Sequence, residues 1–243
     1  MNFITNAVPT WVSISFIFVF PLFYYFIANA AKKAAFSAGF DAAKISKIGN
    51  SILIFAAIYL TYVALMSFTG IFQQNTIPPK ILLYTTLPLA IFYFLVVFRS
   101  RIFNQLLENI KLESLIRLHI FRFVGVYFLL TWFYGALPQG FAFIGGFGDI
   151  FAAVTAIFVA NTVENQKTYS RKLAFIWNIV GIWDIVNVII SANLYNKWAI
   201  ETNGQDLLEM GNFPFCWIAA VAPATIIFLH ICIFKKLRLE KKG

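Results

Sequence analysis

Charge is scarce in this chain: Asp and Glu number 10, Lys and Arg 19, and together they make up 12% of 243 residues. Soluble domains draw about 25% of their residues from these four types, so no water-facing globular surface can be built from this composition. Cysteine is nearly missing, with Cys216 and Cys232 alone. They fall near opposite ends of one apolar stretch, about 24 Å apart at helical rise, which excludes a bond between them and leaves the redox compartment open. Signature strings of common sites are missing as well. No Cys-x-x-Cys, His-Glu-x-x-His or Asp-rich pattern occurs, and without Gly-x-Ser-x-Gly or Ser-x-x-Lys a membrane-embedded hydrolase would need an unrecognised arrangement. Met1 to Thr10 carries no Lys or Arg, and the apolar run after it is too long for a signal h-region, so that run is expected to be retained.

What the chain has is apolar length. Hydrophobic residues make up 60%, with 29 Phe, and the bilayer is the solvent that suits them. Runs of roughly 20 residues predict an all-α integral membrane protein with seven transmembrane helices at about 9–31, 49–69, 80–99, 118–137, 140–161, 173–194 and 213–234. Residues 100–117 place Ile102, Leu106, Ile110 and Leu112 among charges at helical spacing, which predicts an amphipathic helix on the cytoplasmic interface. The connection 195–212 holds Tyr195, Trp198, Glu201, Asp206 and Glu209; it reads as a solvated loop or as a cover over an entrance. The turn Leu137-Pro138-Gln139-Gly140 predicts that spans four and five are antiparallel neighbours.

Lys and Arg cluster after spans one, three, five and seven, while only Lys80 and Lys197 fall on the other side. The positive-inside rule then puts the N-terminus outside and the C-terminus in the cytoplasm, which requires an odd number of spans. The plasma (inner) membrane is the expected location. The net charge of +9 is thereby an orientation signal with a secondary attraction to anionic lipid heads. Nucleic acid is not an expected partner.

Paired strings suggest duplication. Phe26-Ile27-Ala28-Asn29-Ala30 matches Phe158-Val159-Ala160-Asn161-Thr162, and Pro79, Pro88 and Phe98 match Pro214, Pro223 and Phe234, at offsets of about 132 to 136 residues. A parallel three-plus-one-plus-three repeat would explain this; coincidence in a biased alphabet would too. Microbial rhodopsins share such a layout, but span seven has no lysine, so a retinal Schiff base is excluded. PQ-loop transporters share it as well, yet only Pro138-Gln139 matches their paired dipeptides, and no family is identified.

Candidate function rests on Asp149 and Asp184, each inside an apolar span where a charge costs roughly 2.5–3.5 kcal/mol. Asp149 lies on a stripe with Gly145, Ala152, Ala153, Ala156 and Ala160, which lets helices approach closely. Asp184 follows Asn178 and Gly181 and precedes Asn187 and Ser191, a polar stripe expected to line a cavity or an interface. Helical rise puts both aspartates about 13–17 Å deep. Each is preceded one turn earlier by Gly146 or Gly181, read as leaving room beside the carboxylate. Arg122, one turn inside span four, either pairs with an aspartate or snorkels to the headgroups. If it pairs with one, the other is left to carry a proton, and Asp184 is the better choice for the working carboxylate.

His119 and His230, the two histidines of the chain, lie at similar depth. They could ligate haem, share a metal ion with a carboxylate, relay protons or make structural hydrogen bonds. The leading expectation is proton-coupled movement of a small solute along Arg122, Asp149, Asn178, Asp184 and Asn187. The alternatives are a haem- or metal-binding protein or enzyme using His119 and His230, and a seven-helix receptor or sensor.

Overall fold

The computed structural model describes residues 4–240, and among them no strand occurs. Six helices are long and apolar enough to cross a bilayer: Thr10–Ser37, Ala42–Phe68, Leu112–Phe133, Gln139–Glu164, Ser170–Thr202 and Cys216–Leu239. Leu82–Val97 adds a seventh if it is counted together with Arg101–Asn109, from which it is bent by 86°. Phe18, Phe36, Phe133 and Trp183, each more than two-thirds exposed, belong to an outward apolar surface suited to a lipid surrounding.

The first span is two segments, α1 (Thr10–Val19) and α2 (Leu22–Ser37), joined at Phe20-Pro21. After Gly39, Asp41 caps α3 (Ala42–Phe68) by accepting from the Lys44 N–H at 2.8 Å, satisfying a helix-start donor. The third segment runs through two wide π turns, Leu82–Thr86 and Tyr93–Val97, on either side of α4 (Leu87–Phe92). Pro88 at the head of α4 offers no N–H to the Tyr84 carbonyl. The Tyr62 hydroxyl donates there instead, at 2.9 Å, and Tyr59 donates to the Thr85 carbonyl at 2.8 Å, so tyrosines of α3 replace the missing backbone donor.

Residues 100–117 are not one interfacial helix. Ser100 caps α5 (Arg101–Asn109), and α6 (Leu112–Arg117) then begins the fourth span. Of the four apolar positions in the expected pattern, Leu112 is buried in the bundle beside Leu115 and Ile116, whereas Leu106 and Ile110 are half-buried and Ile102 is exposed. That span continues through a 3-10 segment, Leu118–Gly125, into α7 (Val126–Phe133). It reverses at Gly135 (φ +79°), where Ala136 N–H donates to the Thr131 carbonyl at 2.8 Å, the left-handed close that glycine allows. The reversal brings α8 (Gln139–Glu164) alongside as an antiparallel neighbour. At the opposite end Arg117 ties the two, bonding Asn161 at 3.0 Å and Glu164.

The fifth and sixth long helices are α9 (Ser170–Thr202) and α10 (Cys216–Leu239). α9 runs two turns beyond the expected span, so Tyr195, Trp198 and Glu201 are helical and the connection begins at Asn203. This connection folds back on the 70–79 loop and the end of α3: Gln73 bonds Asn212 at 2.7 Å, and Ser67 of α3 donates to the Gly211 carbonyl at 2.7 Å. α10 occupies the centre. Trp217 donates to the Leu60 carbonyl at 2.9 Å, Thr86 to the Ala219 carbonyl at 2.7 Å, and Tyr93 meets Thr225 at 3.2 Å.

Candidate functional site

Arg122 is brought inward by the 3-10 segment. Three residues per turn stack every third side chain in one row, which within Leu118–Gly125 is His119, Arg122 and Gly125, all buried. That row faces α8. Its small stripe of Gly145, Ala152, Ala153, Ala156 and Ala160 is buried as expected, and a Cβ on Gly125 would run into Asp149 and the Gly146 carbonyl.

The Arg122 guanidinium lies between both aspartates. Nε donates to Asp149 Oδ1 at 2.7 Å, and one terminal nitrogen bonds Asp184 Oδ2. Side-chain exposure is 0% for Arg122, 6% for Asp149 and 19% for Asp184. The arginine therefore does not snorkel, and neither aspartate lacks a cationic partner. Its other terminal nitrogen has no hydrogen-bond partner.

The two carboxylates face different spaces. Asp149 borders a cavity of about 80 Å³ lined mainly by apolar residues such as Phe128, Phe141, Ile185 and Val188. Leu207, Leu208 and Met210 of the 203–215 connection and Phe72 of the preceding loop also line it. Asp184 borders a separate groove between α8 and α9, with Gly148, Thr155, Trp177 and Asn187. Asn187 is exposed at the mouth of that groove and does not join the buried cluster.

Toward the Lys/Arg-rich end, the imidazoles close the cluster. His119 and His230 rings pack with centroids 4.2 Å apart, and Trp177 lies edge-on to His119 at 5.2 Å. Asn178 makes two bonds to His230: its Nδ2 donates to the backbone carbonyl at 2.9 Å, and its Oδ1 meets ring Nδ1 at 2.7 Å. Both ring nitrogens of His119 and Nε2 of His230 are buried without a hydrogen-bond partner. Among the described residues, no three His, Cys, Asp or Glu side chains are grouped to hold a metal ion.

Glycines make room for these groups, but across helices. A Cβ on Gly148 of α8 would collide with the Asp184 carboxylate of α9, and one on Gly181 of α9 with the His230 ring of α10. Spacing along the chain placed the room one turn before each aspartate on its own helix. Gly181 instead serves a histidine, and Gly148 had no signal beyond its place beside Asp149.

Membrane-length apolar helices, an outward apolar surface and a buried cluster of ionisable residues define a multi-pass membrane protein with a polar interior. The chain belongs to the family described as a domain of unknown function (DUF8737), whose pattern matches residues 78–238. That range holds every residue of the Arg122 and histidine clusters. No curated protein and no solved structure matches the chain.

Proposed function

We propose that the protein moves a small solute or ion across the membrane in step with a proton taken up at the Asp149–Arg122–Asp184 cluster. One observation carries this reading: a single guanidinium answers two carboxylates that face different spaces. With both carboxylates ionised the cluster keeps one uncompensated negative charge in apolar surroundings, a costly state that a proton or a cation relieves. Asp184, the more exposed of the pair, is the working carboxylate. Asp149 retains Arg122 when Asp184 is neutralised. Asn178 holds His230 in place in the layer that closes the cluster toward the basic end. Asn187 sits where a solute would first meet the groove.

The same reading takes the bent third segment as a span, giving seven, with the N-terminus outside and the Lys/Arg-rich end in the cytoplasm of a cell bounded by this plasma (inner) membrane. Spans one to three and five to seven are then parallel repeats, with the site near the midplane as in transporters built this way. A second reading draws on the three unpartnered imidazole nitrogens. The rings pack directly on each other, so a single metal ion at their edges has better support than a haem between them.

Proteoliposomes enclosing a pH-sensitive dye test the first reading. An inward proton gradient combined with a mixture of small metabolites is expected to acidify the lumen faster than the gradient alone. Asp184→Asn should remove the difference and His230→Ala should not. Equal acidification with and without solutes overturns the reading, and stoichiometric metal or a haem absorption band lost in His230→Ala favours the second.

A further inference from the structure

A groove of about 840 Å³ runs between α2 and the 3-10 segment that carries Arg122. Leu118, Phe121 and Val124, a different row of that segment from the one holding Arg122, form one wall, and Leu22, Phe26 and Ala30 of α2 form the other. The Phe23 and Phe121 rings stack at 3.8 Å where the walls meet. None of the lining residues belongs to the Arg122 or histidine clusters, so a ligand held here is independent of the transport reading. Val19, Leu22, Phe26, Phe123 and Val126 are each 40–55% exposed. The groove therefore opens sideways, toward the space that lipid would occupy.

Its polar groups gather at one end. Lys33, Asn29, Ser114 and Arg117 line the end nearest the other basic side chains, and no Asp or Glu is among the described residues that line the groove. Arg117 bonds Asn161 and Glu164 through a single terminal nitrogen, leaving its other nitrogens without a hydrogen-bond partner. Lys33 is exposed and has no ion-pair partner among the described residues. The far end asks for nothing polar, because the Tyr127 hydroxyl already donates to Ser15 at 3.1 Å. Val19 and Lys33 are 14 residues apart, about 21 Å at helical rise, enough to cross the hydrocarbon of one leaflet, about 15 Å. An amphiphile with an anionic head and a long apolar chain matches both ends. A second copy of the chain does not, since a two-fold axis along the membrane normal would set the same basic end of each copy side by side.

We propose that this groove is a binding site for one anionic phospholipid. Its phosphate lies against Lys33 and the unbonded edge of Arg117, with Asn29 and Ser114 beside it, and an acyl chain fills the apolar length as far as Val19. Such a site differs from the diffuse attraction of a basic surface for anionic lipid, because one lysine and one groove carry it. Native mass spectrometry of the purified full chain in detergent, titrated with dioleoylphosphatidylglycerol or dioleoylphosphatidylcholine, tests this. The first phosphatidylglycerol is expected to bind about fivefold tighter than phosphatidylcholine or better, and Lys33→Gln should weaken it by about fivefold, the loss of one basic side chain beside a lipid head. Lys33→Arg should restore it. Lys47→Gln, on α3 at the same end but outside the groove, should leave it unchanged. Dihexanoylphosphatidylglycerol, with the same head and short chains, should bind about tenfold more weakly or worse, because fewer methylenes are buried. Equal affinity for the two heads, equal losses in Lys33→Gln and Lys47→Gln, dihexanoyl lipid binding as tightly as dioleoyl, or displacement of the lipid by inorganic phosphate overturns the assignment.

Discussion

A carboxylate oxygen of Asp184 occupies the space that a side chain on Gly148 would need. The contact couples α8 to α9 at the level of the cluster. Gly148→Ala is expected to destabilise the protein by about 1–3 kcal/mol, the usual cost of overpacking. In an Asp184→Ala background the same change should cost much less, because the opposing atoms are gone. Thermal unfolding of the four proteins of this cycle measures the coupling; equal costs in both backgrounds would show that the two residues do not press on each other.

Removing the arginine should be worse than removing either acid. Arg122→Gln leaves two buried carboxylates with no cation, and breaking a buried pair from one side costs about 3–5 kcal/mol. Adding Asp149→Asn to that variant is expected to recover part of the loss. A double variant no more stable than Arg122→Gln alone would contradict the charge argument.

Asp184→Asn should separate folding from function. It leaves Arg122 and Asp149 as a balanced pair, so stability is expected to stay within about 1 kcal/mol of the parent, while solute-dependent acidification is lost. Collapse of the folded state in this variant, measured by size-exclusion and thermal unfolding, would make Asp184 a structural residue.

Glu209 gives a pH handle outside the spans. Only 8% exposed, it accepts from Asn212 at 2.8 Å through one oxygen, and Thr5 lies beside the carboxylate. Burial pushes its carboxyl above the ordinary value of 4.5. The folded state therefore holds this proton more tightly than the unfolded state, and stability falls as pH rises from the unfolded value through the folded one. Glu209→Gln should raise the unfolding midpoint at neutral pH by about 2–4 °C, equivalent to about 1 kcal/mol. The gain should vanish at low pH; a gain independent of pH would assign the effect to packing.

The aspartates could be read from sequence because charges inside apolar runs stand out, and the α8 stripe because small residues recur on one face. Arg122 could not be settled, since one turn inside a span is within snorkelling reach of either side. The polar series on α9 winds instead of running straight: steps of three residues drift by about 60° each on an α-helix, so Asn178 meets His230 of α10 while Asp184 and Asn187 line the groove beside α8. The row through His119, Arg122 and Gly125 escapes that drift because its backbone tightens to three residues per turn, which spacing alone does not reveal. Contacts such as Gly148 with Asp184 join different helices and leave no local pattern. The bend after Val97 likewise depends on how α5 packs against α2 and α10.

The apolar window of α10 is 78% buried, against 28–56% in the other five long helices. It is also the last of them to leave the ribosome. The earlier helices therefore insert before the segment that fills their centre exists, with the Leu60 carbonyl, the Thr86 hydroxyl and the His119 ring lacking their eventual neighbours. Assembly of the bundle is postponed until this helix has been made. A nascent chain halted before Cys216 would expose small and polar surfaces to lipid, the condition under which quality-control proteases recognise an orphaned membrane segment.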